Sequence, residues 1–408
     1  MIAATATCAV LATEAVAQTP PPASPVVIDH VQLNRADIFG GGPLNVENAQ
    51  DQVTVGASAQ GNSLSVIGEE ASVVVRSDQV MEGSARATND LTLGGDTVGT
   101  VNATTQAGGN YLTVGAYDAD MGVDATQSNI GGEVVANTTV GDDGARLLGG
   151  AAVGSSAISN TVALGGEGAR VTGSIDQSSD ATVRAGVLAE TQYIPAEAAF
   201  ETQAIANAVA VSSTAASSQD LSVRQRSSGD FVEADTSANA GNAWDLAGRA
   251  RAAGNQAILY NSGGSVVAAS DQANSAQVRA SALATAYDYG RAEARARGAG
   301  NELSVGNNDV YVEIDSTQFN SGGVDATATF SGTNGYDAYV GAEAVGNAVT
   351  GYACSECEGR LIANSSQTND GDVSATANTS VAGSGRAVIT GANAVGNAAS
   401  FYVSRSSH

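Results

Sequence analysis

Downstream of a series of regularly placed asparagines, the chain alternates apolar and polar residues with a period of two. In NSLSV at Asn62, NYLTV at Asn110, NTVAL at Asn160, NAVAV at Asn207, NQAIL at Asn255, NELSV at Asn301 and NAVTG at Asn347, the asparagine shares one face of a β-strand with the apolar residues that follow it. A second alternation leads into a glutamine. Val73, Val75 and Gln79 share parity, as do Val123, Ala125 and Gln127, Leu221, Val223 and Gln225, and Val312, Ile314 and Gln318. A third segment, of the form V-x-A-x-A, follows each glutamine: VVANT at Val134, VRASA at Val278 and VSATA at Val373 are examples. Gly, Asn, Asp and Ser separate these runs, so short strands joined by turns are predicted throughout and the chain reads as all-β.

The amides also define a repeat. Gln79, Gln127, Gln177, Gln225, Gln272, Gln318 and Gln367 stand 48, 50, 48, 47, 46 and 49 residues apart. Asn62, Asn110, Asn160, Asn207, Asn255, Asn301, Asn347 and Asn397 run in phase with them, each glutamine following its asparagine by 17 to 20 residues. A fixed period of this size marks a repetitive stack, propeller or array. An unpartnered buried carboxamide costs about 1–3 kcal/mol, so amides on an apolar face require partners, and copies stacked one above another supply them as a ladder. Placement in turns is the simpler alternative, stronger for asparagine than for glutamine.

These readings predict a repetitive β-solenoid (β-helix) of about seven 48-residue repeats. Each repeat divides into two coils of about 24 residues, one carrying the Asn and Gln and the other the V-x-A-x-A segment. Some 14 to 15 coils at a strand spacing of roughly 4.8 Å would give a rod on the order of 70 Å long. A propeller would fit the repeat number but would show bulkier, more aromatic blades. The predicted boundaries are 1–17 for a signal peptide, 18–55 for a Pro-rich linker with an N-terminal cap or docking segment that matches no repeat, and 56–408 for the repeats. Around Tyr193 to Ala199 an insertion containing Pro195 reads as a loop bulging from the rod. Despite its Ala and Arg content, the stretch Ala276 to Ala299 is predicted as strand, with Arg291, Arg295 and Arg297 facing outward.

Composition sharpens this picture. Hydrophobic residues make up 43% but aromatics only 4%, so the interior must be thin and built from small side chains. The net charge is -25 and all 17 basic residues are arginine, which argues against nucleic acid as a partner and in favour of solubility and guarded sheet edges. The apolar run Ile2 to Val16, ending Ala15-Val16-Ala17, predicts export, although no basic residue precedes it. No run of 18 or more apolar residues predicts a transmembrane helix.

Candidate chemistry is sparse. With His30 and His408 as the only histidines, no Ser-His-Asp arrangement and no repeated histidine site can be built. Catalytic β-helices gather carboxylates or bases in one cleft, whereas the acids here read as scattered outward positions, so no enzyme activity, no cofactor and no metal are expected. Asp118-Ala119-Asp120 and Asp142-Asp143 could offer oxygen ligands to calcium, but their spacing matches no known calcium loop and a solvated acidic surface is the simpler reading. Cys354 and Cys357 form a C-x-x-C pair with nothing nearby to complete a zinc site, and a local disulfide is expected.

The GN-A-V and GN-x-L-S-V segments with their spaced glutamines, from about Gln60 to Val403, resemble the Asn/Gln-ladder repeats of curli subunits. In length and segment style the chain more closely resembles the holdfast anchor proteins of the HfaD type from stalked alphaproteobacteria. The period is about twice that of a curli repeat. The resemblance implies a secreted protein at the cell surface or outer membrane that anchors the adhesive holdfast polysaccharide to the envelope. Its implied partners are an amyloid-like subunit, an outer-membrane secretion protein and the surface polysaccharide. A polysaccharide-degrading β-helix enzyme and a self-assembling surface fibre subunit stand as alternatives. An enzyme would be distinguished by a cleft lined with acids and arginine.

Overall fold

A computed structural model describes residues 24–141, 144–309, 311–354 and 359–403. Throughout these residues the chain winds as a stack of coils whose strands pair in parallel with the copies above and below. The coil beginning at Val101 shows the plan. Its asparagine strand is Val101–Tyr117, its glutamine strand is Met121–Asn129, and its alanine strand, carrying the V-x-A segment, is Glu133–Gly141. Each pairs only with its own kind, so eight glutamine strands form one sheet while the asparagine and alanine strands are linked in a second, 14-stranded sheet.

The register overturns the expected division of each repeat into two coils. Val73 pairs with Met121, Val101 with Ala151 and Val232 with Val278, so residues one full repeat apart are neighbours and one repeat makes one coil. The amides impose this outcome. Two coils per repeat would hold successive asparagines two strand spacings apart, roughly 9.6 Å, far beyond hydrogen-bonding reach. Eight stacked glutamine strands span seven spacings of about 4.8 Å, roughly 34 Å, about half the predicted length.

Wider coils need more filling than thin ones, and two apolar clusters provide it. The larger lies between the alanine strands and the first halves of the asparagine strands, with Ala87, Val134, Ala185, Val232 and Val278 among its members. The smaller lies between the second halves and the glutamine strands, around Leu112, Val123, Val162 and Val223. Between the halves the strand changes parity: Val101, Ala103, Thr105 and Ala107 are buried, then Gly109 and Asn110 together, then Leu112, Val114 and Ala116. Two consecutive inward residues switch the side-chain alternation, and because the neighbouring strands make the same step the register is kept across it.

The segment expected to match no repeat forms the first coil. Val26–Asn34 pairs with the glutamine strand Val73–Met81, and Ile38–Val46 pairs with the alanine strand Ala85–Leu93. The expected boundary at residue 56 therefore falls inside the strand Val53–Glu69. Nor does the insertion at Tyr193 bulge out as a loop. It lies within the strand Thr182–Thr214, where one extra residue is absorbed by a register shift between Ile194 and Glu197 while Ile194 and Ala198 stay buried. Burying those two side chains retains contacts that an extruded loop would give up. The stretch from Gln277 to Asn307 is strand, with Arg291 and Arg295 exposed and Arg297 half-buried.

Candidate functional site

The asparagines and glutamines form two continuous ladders. Asn62 Nδ2 donates to Asn110 Oδ1 at 2.7 Å, Asn110 to Asn160 at 2.8 Å, Asn160 to Asn207 at 2.8 Å, and Asn207 to Asn255 at 2.8 Å. The series continues from Asn255 to Asn301, Asn347 and Asn397 at 2.7 to 2.8 Å. The glutamine ladder runs the opposite way. Gln127 Nε2 donates back to Gln79 Oε1, and Gln177, Gln225, Gln272, Gln318 and Gln367 follow, each at 2.7 to 2.8 Å. Each interior amide uses its second N–H on a main-chain carbonyl across the coil: Asn110 on Ser128, and Gln127 on Thr161 of the following coil. Both donors and an acceptor of these buried amides are thereby occupied, and the asparagine and glutamine strands are tied together at the bend. Because the two ladders point their donors in opposite directions along the stack, their side-chain dipoles oppose each other.

Sequence reading missed further members. Gln32, 47 residues before Gln79, accepts from Gln79 Nε2 at 2.7 Å and begins the glutamine ladder in the first coil. A third ladder stands two residues after the glutamines, where Asn274 donates to Asn320 and Asn320 to Asn369 at 2.8 Å. The Q-x-N pattern at Gln127, Gln272, Gln318 and Gln367 is the signal that could have found it. These asparagines occupy space left by the glycine of the G-N pair. A β-carbon on Gly254 would come 2.4 Å from Asn274 Oδ1, one on Gly300 2.4 Å from Asn320 Oδ1, and one on Gly346 2.2 Å from Asn369 Oδ1. Where the pre-asparagine residue is larger, its neighbour shrinks: Ser159 meets Ser179 through a 2.8 Å hydroxyl bond, and Ala206 stands at the level of Ser227.

On the outer side of the first halves of the asparagine strands lies a groove of about 980 Å³. Stacking sets Glu201, Arg249 and Arg295 in one column and Gln203, Arg251, Arg297 and Glu343 in the next. The expected scattering of acids is corrected here, because register brings residues 46 to 48 apart in sequence to adjacent positions. Glu293, 4% exposed at its side chain, is bridged by Arg249 at 2.9 Å, Arg295 at 3.0 Å and Arg291 at 3.1 Å. Burial opposes its ionisation, but hydrogen bonding and charge from Arg249, with Arg295 and Arg291, hold it below the ordinary carboxylate value. Glu302 meets Arg297 at 2.7 Å and Arg251 at 2.8 Å and accepts from Gln256. Burial again works against the charge, and these donors outweigh it, bringing Glu302 down to about 2. Glu201 pairs with Arg249 at 2.7 Å and Glu343 with Arg297 at 3.5 Å. The groove therefore holds acids with arginine, the sign set out for a polysaccharide-degrading enzyme: Glu201 and Glu343 line it, each paired with an arginine, and its arginines also hold Glu293 and Glu302 beside it.

The remaining sequence candidates divide by position. The signal peptide, Asp142-Asp143 and Cys357 lie outside the described residues, and with Cys357 goes the expected disulfide to the buried Cys354. Among the described residues no three His, Cys, Asp or Glu gather as a metal-binding group, and no helix is long and apolar enough to cross a membrane.

A family model described as holdfast attachment protein D, HfaD, matches residues 47–323 of the chain. No curated protein and no solved structure matches.

Proposed function

The chain belongs to the HfaD family of holdfast attachment proteins, and from that premise we propose that it is an exported, non-catalytic rod that anchors the adhesive holdfast polysaccharide to the cell envelope. The family match over residues 47–323 carries the attachment role. The stack supports a mechanical mode of action. In-register parallel strands, paired amides and small interlocking side chains give a body with few loops to yield under load, and repeated outward columns offer many equivalent weak contacts whose avidity adds. At the cell surface it works alongside an amyloid-like subunit and an outer-membrane secretion protein.

The stack ends suit partner proteins. In the first described coil Val31 and Leu33 are exposed, and in the last described coil Val388, Ile389 and Tyr402 are exposed beside strand edges that pair with no further strand among the described residues. There the outermost amides, Gln367 and Asn397, retain Oε1 and Nδ2 for a further rung. A partner strand adding to either end would extend the sheets and the ladders together.

The groove is the specific observation for a hydrolase. A glycosidase requires a carboxyl group held protonated to serve as general acid, whereas the groove's own acids, Glu201 and Glu343, are paired with Arg249 and Arg297, and its arginines depress Glu293 and Glu302 beside it in the opposite direction. We therefore read the groove as an ion-paired wall. Deleting the gene and scoring adhesive polysaccharide on cells and in the medium tests the anchor. Shedding with normal synthesis supports it; unchanged attachment overturns it. Release of reducing ends from the polysaccharide by purified protein would restore the enzyme.

A further inference from the structure

We propose that the stretch around Trp244, within the strand Phe231–Asn261, is a glycan-binding site for an uncharged or amine-bearing polysaccharide. The proposal rests on the anchor reading above and gives the polysaccharide a place on the chain. Trp244 is the only tryptophan in a chain with 4% aromatics, and it is 61% exposed. It packs edge to face with Tyr336, a residue 51% exposed, with centroids 6.0 Å apart and planes at 72°. Tyr193 adds a third ring to the same pocket, which has a volume of about 490 Å³.

The rings are held in place by structure. A β-carbon on Gly290 would lie 2.9 Å from Trp244 Cδ2 and Cε3, so the indole sits against bare backbone. Arg386 lies over the Tyr336 ring at 5.6 Å and Arg146 over Tyr193 at 5.7 Å, fixing two rings by cation–π contact. Beside them runs a polar column in register, Asn242, Asp288 and Asn334, topped by Ser384. Its own hydrogen bonds are long: Asp288 N to Asn242 Oδ1 at 3.3 Å, Asn334 Nδ2 to Asp288 Oδ1 at 3.3 Å and Ser384 N to Asn334 Oδ1 at 3.4 Å.

Pyranose rings have apolar C–H faces and hydroxyl edges, and this pocket offers the complement of both. Aromatic faces receive the C–H surface while carboxamide, carboxylate and hydroxyl groups meet the hydroxyls. The polar column repeats at the strand spacing of about 4.8 Å, comparable to the length of one β-linked sugar unit, so consecutive sugars can follow consecutive coils. Asp288 is the charged residue in the pocket lining, and Arg386 and Arg146 over the rings are each paired with a carboxylate, Asp337 and Asp96, which disfavours a uronate chain. A protein partner fits less well, because apart from the rings the apolar lining is limited to Ala243 and Pro195 and small glycine surfaces.

Because Trp244 is the sole indole, its fluorescence reports on the site directly. The full chain is titrated with cellohexaose, chitohexaose and the fully deacetylated glucosamine hexamer, with polygalacturonate as the anionic control. A saturable spectral change with at least one of the three hexamers and none with polygalacturonate is expected. Calorimetry on folded Trp244→Ala, Tyr336→Ala and Asn334→Ala chains should then show affinity falling roughly tenfold or more. No saturable change with any of the three hexamers, or binding undiminished in all three variants, overturns the site. Competition by a protein partner that also loses binding in Trp244→Ala, with no glycan response, would reassign it to protein. The gene deletion separates the two readings: if the null strain sheds polysaccharide and a Trp244→Ala copy restores attachment fully, the anchor stands and this site falls.

Discussion

Asn320 fills the space that Gly300 leaves empty, its Oδ1 lying 2.4 Å from where a β-carbon on residue 300 would stand. The same complementarity runs along the stack, with serine in place of asparagine where the residue before the ladder asparagine is Ser159 or Ala206. Gly300→Ala should therefore destabilise the chain by roughly 1–3 kcal/mol through overpacking. Asn320→Ser, which copies the combination already present at Ala206 and Ser227, should relieve part of that. Denaturant melts of the two single variants and the double variant give the coupling energy. A value of about 0.5 kcal/mol or more in the favourable direction is expected for residues in contact, and strict additivity would contradict the packing argument.

Position along the glutamine ladder sets the cost of breaking it. Gln225→Leu removes the acceptor for Gln272 and the donor to Gln177, and it strands the Gln256 carbonyl. Each buried group left without a partner costs about 1–3 kcal/mol, so a large loss of stability is expected. Gln367→Leu, at the partly exposed end, should cost far less, because water can replace what is lost. Equal effects at the two positions would show that the ladder is not a source of stability.

Glu302 makes stability depend on pH in a defined window. Its folded pKa is about 2 against an ordinary 4.5, so the folded chain binds this proton more weakly than the unfolded chain. Its contribution, on the order of 3 kcal/mol, is complete above about pH 4.5 and disappears as the pH falls towards 2. Thermal melts from pH 6 to pH 2 should show wild type losing more stability than Glu302→Gln across that window. Parallel curves would remove Glu302 from the account.

Deletion tests the size of the coil. Removing residues 255–300, one whole repeat, joins Gly254 to Asn301 and should leave a shorter stack with native-like circular dichroism and a cooperative melt. Removing 24 residues from the same region would set unlike strands on one another and abolish both. A well-folded 24-residue deletion would return the two-coil arrangement.

Two expectations drawn from the sequence conflicted with each other, and the conflict was already resolvable on paper. An amide ladder demands copies on adjacent strands, while two coils per repeat would separate Asn110 from Asn160 by an intervening strand. Both residues are in direct register and bonded at 2.8 Å. Gln32 was likewise legible, since its distance to Gln79 falls among the other gaps, but the Gly-rich segment after it lacks the V-x-A signature and hid the coil. The groove and the aromatic pocket were not legible. Glu201, Arg249 and Arg295 are isolated charges in sequence, and Trp244 and Tyr336 are 92 positions apart.

What the amino-acid sequence determined by itself was the stack: strand positions from alternation, the period from the amides, an interior of small side chains from the scarcity of aromatics, and family resemblance from the G-N segments. These are properties of near neighbours and of repetition, which a linear chain displays openly. Tertiary structure alone decided where the stack turns at Gly109 and Asn110 and which outward side chains become columns. Those outcomes depend on contacts between residues about 48 positions apart, whose geometry is set only when packing and amide pairing are satisfied together.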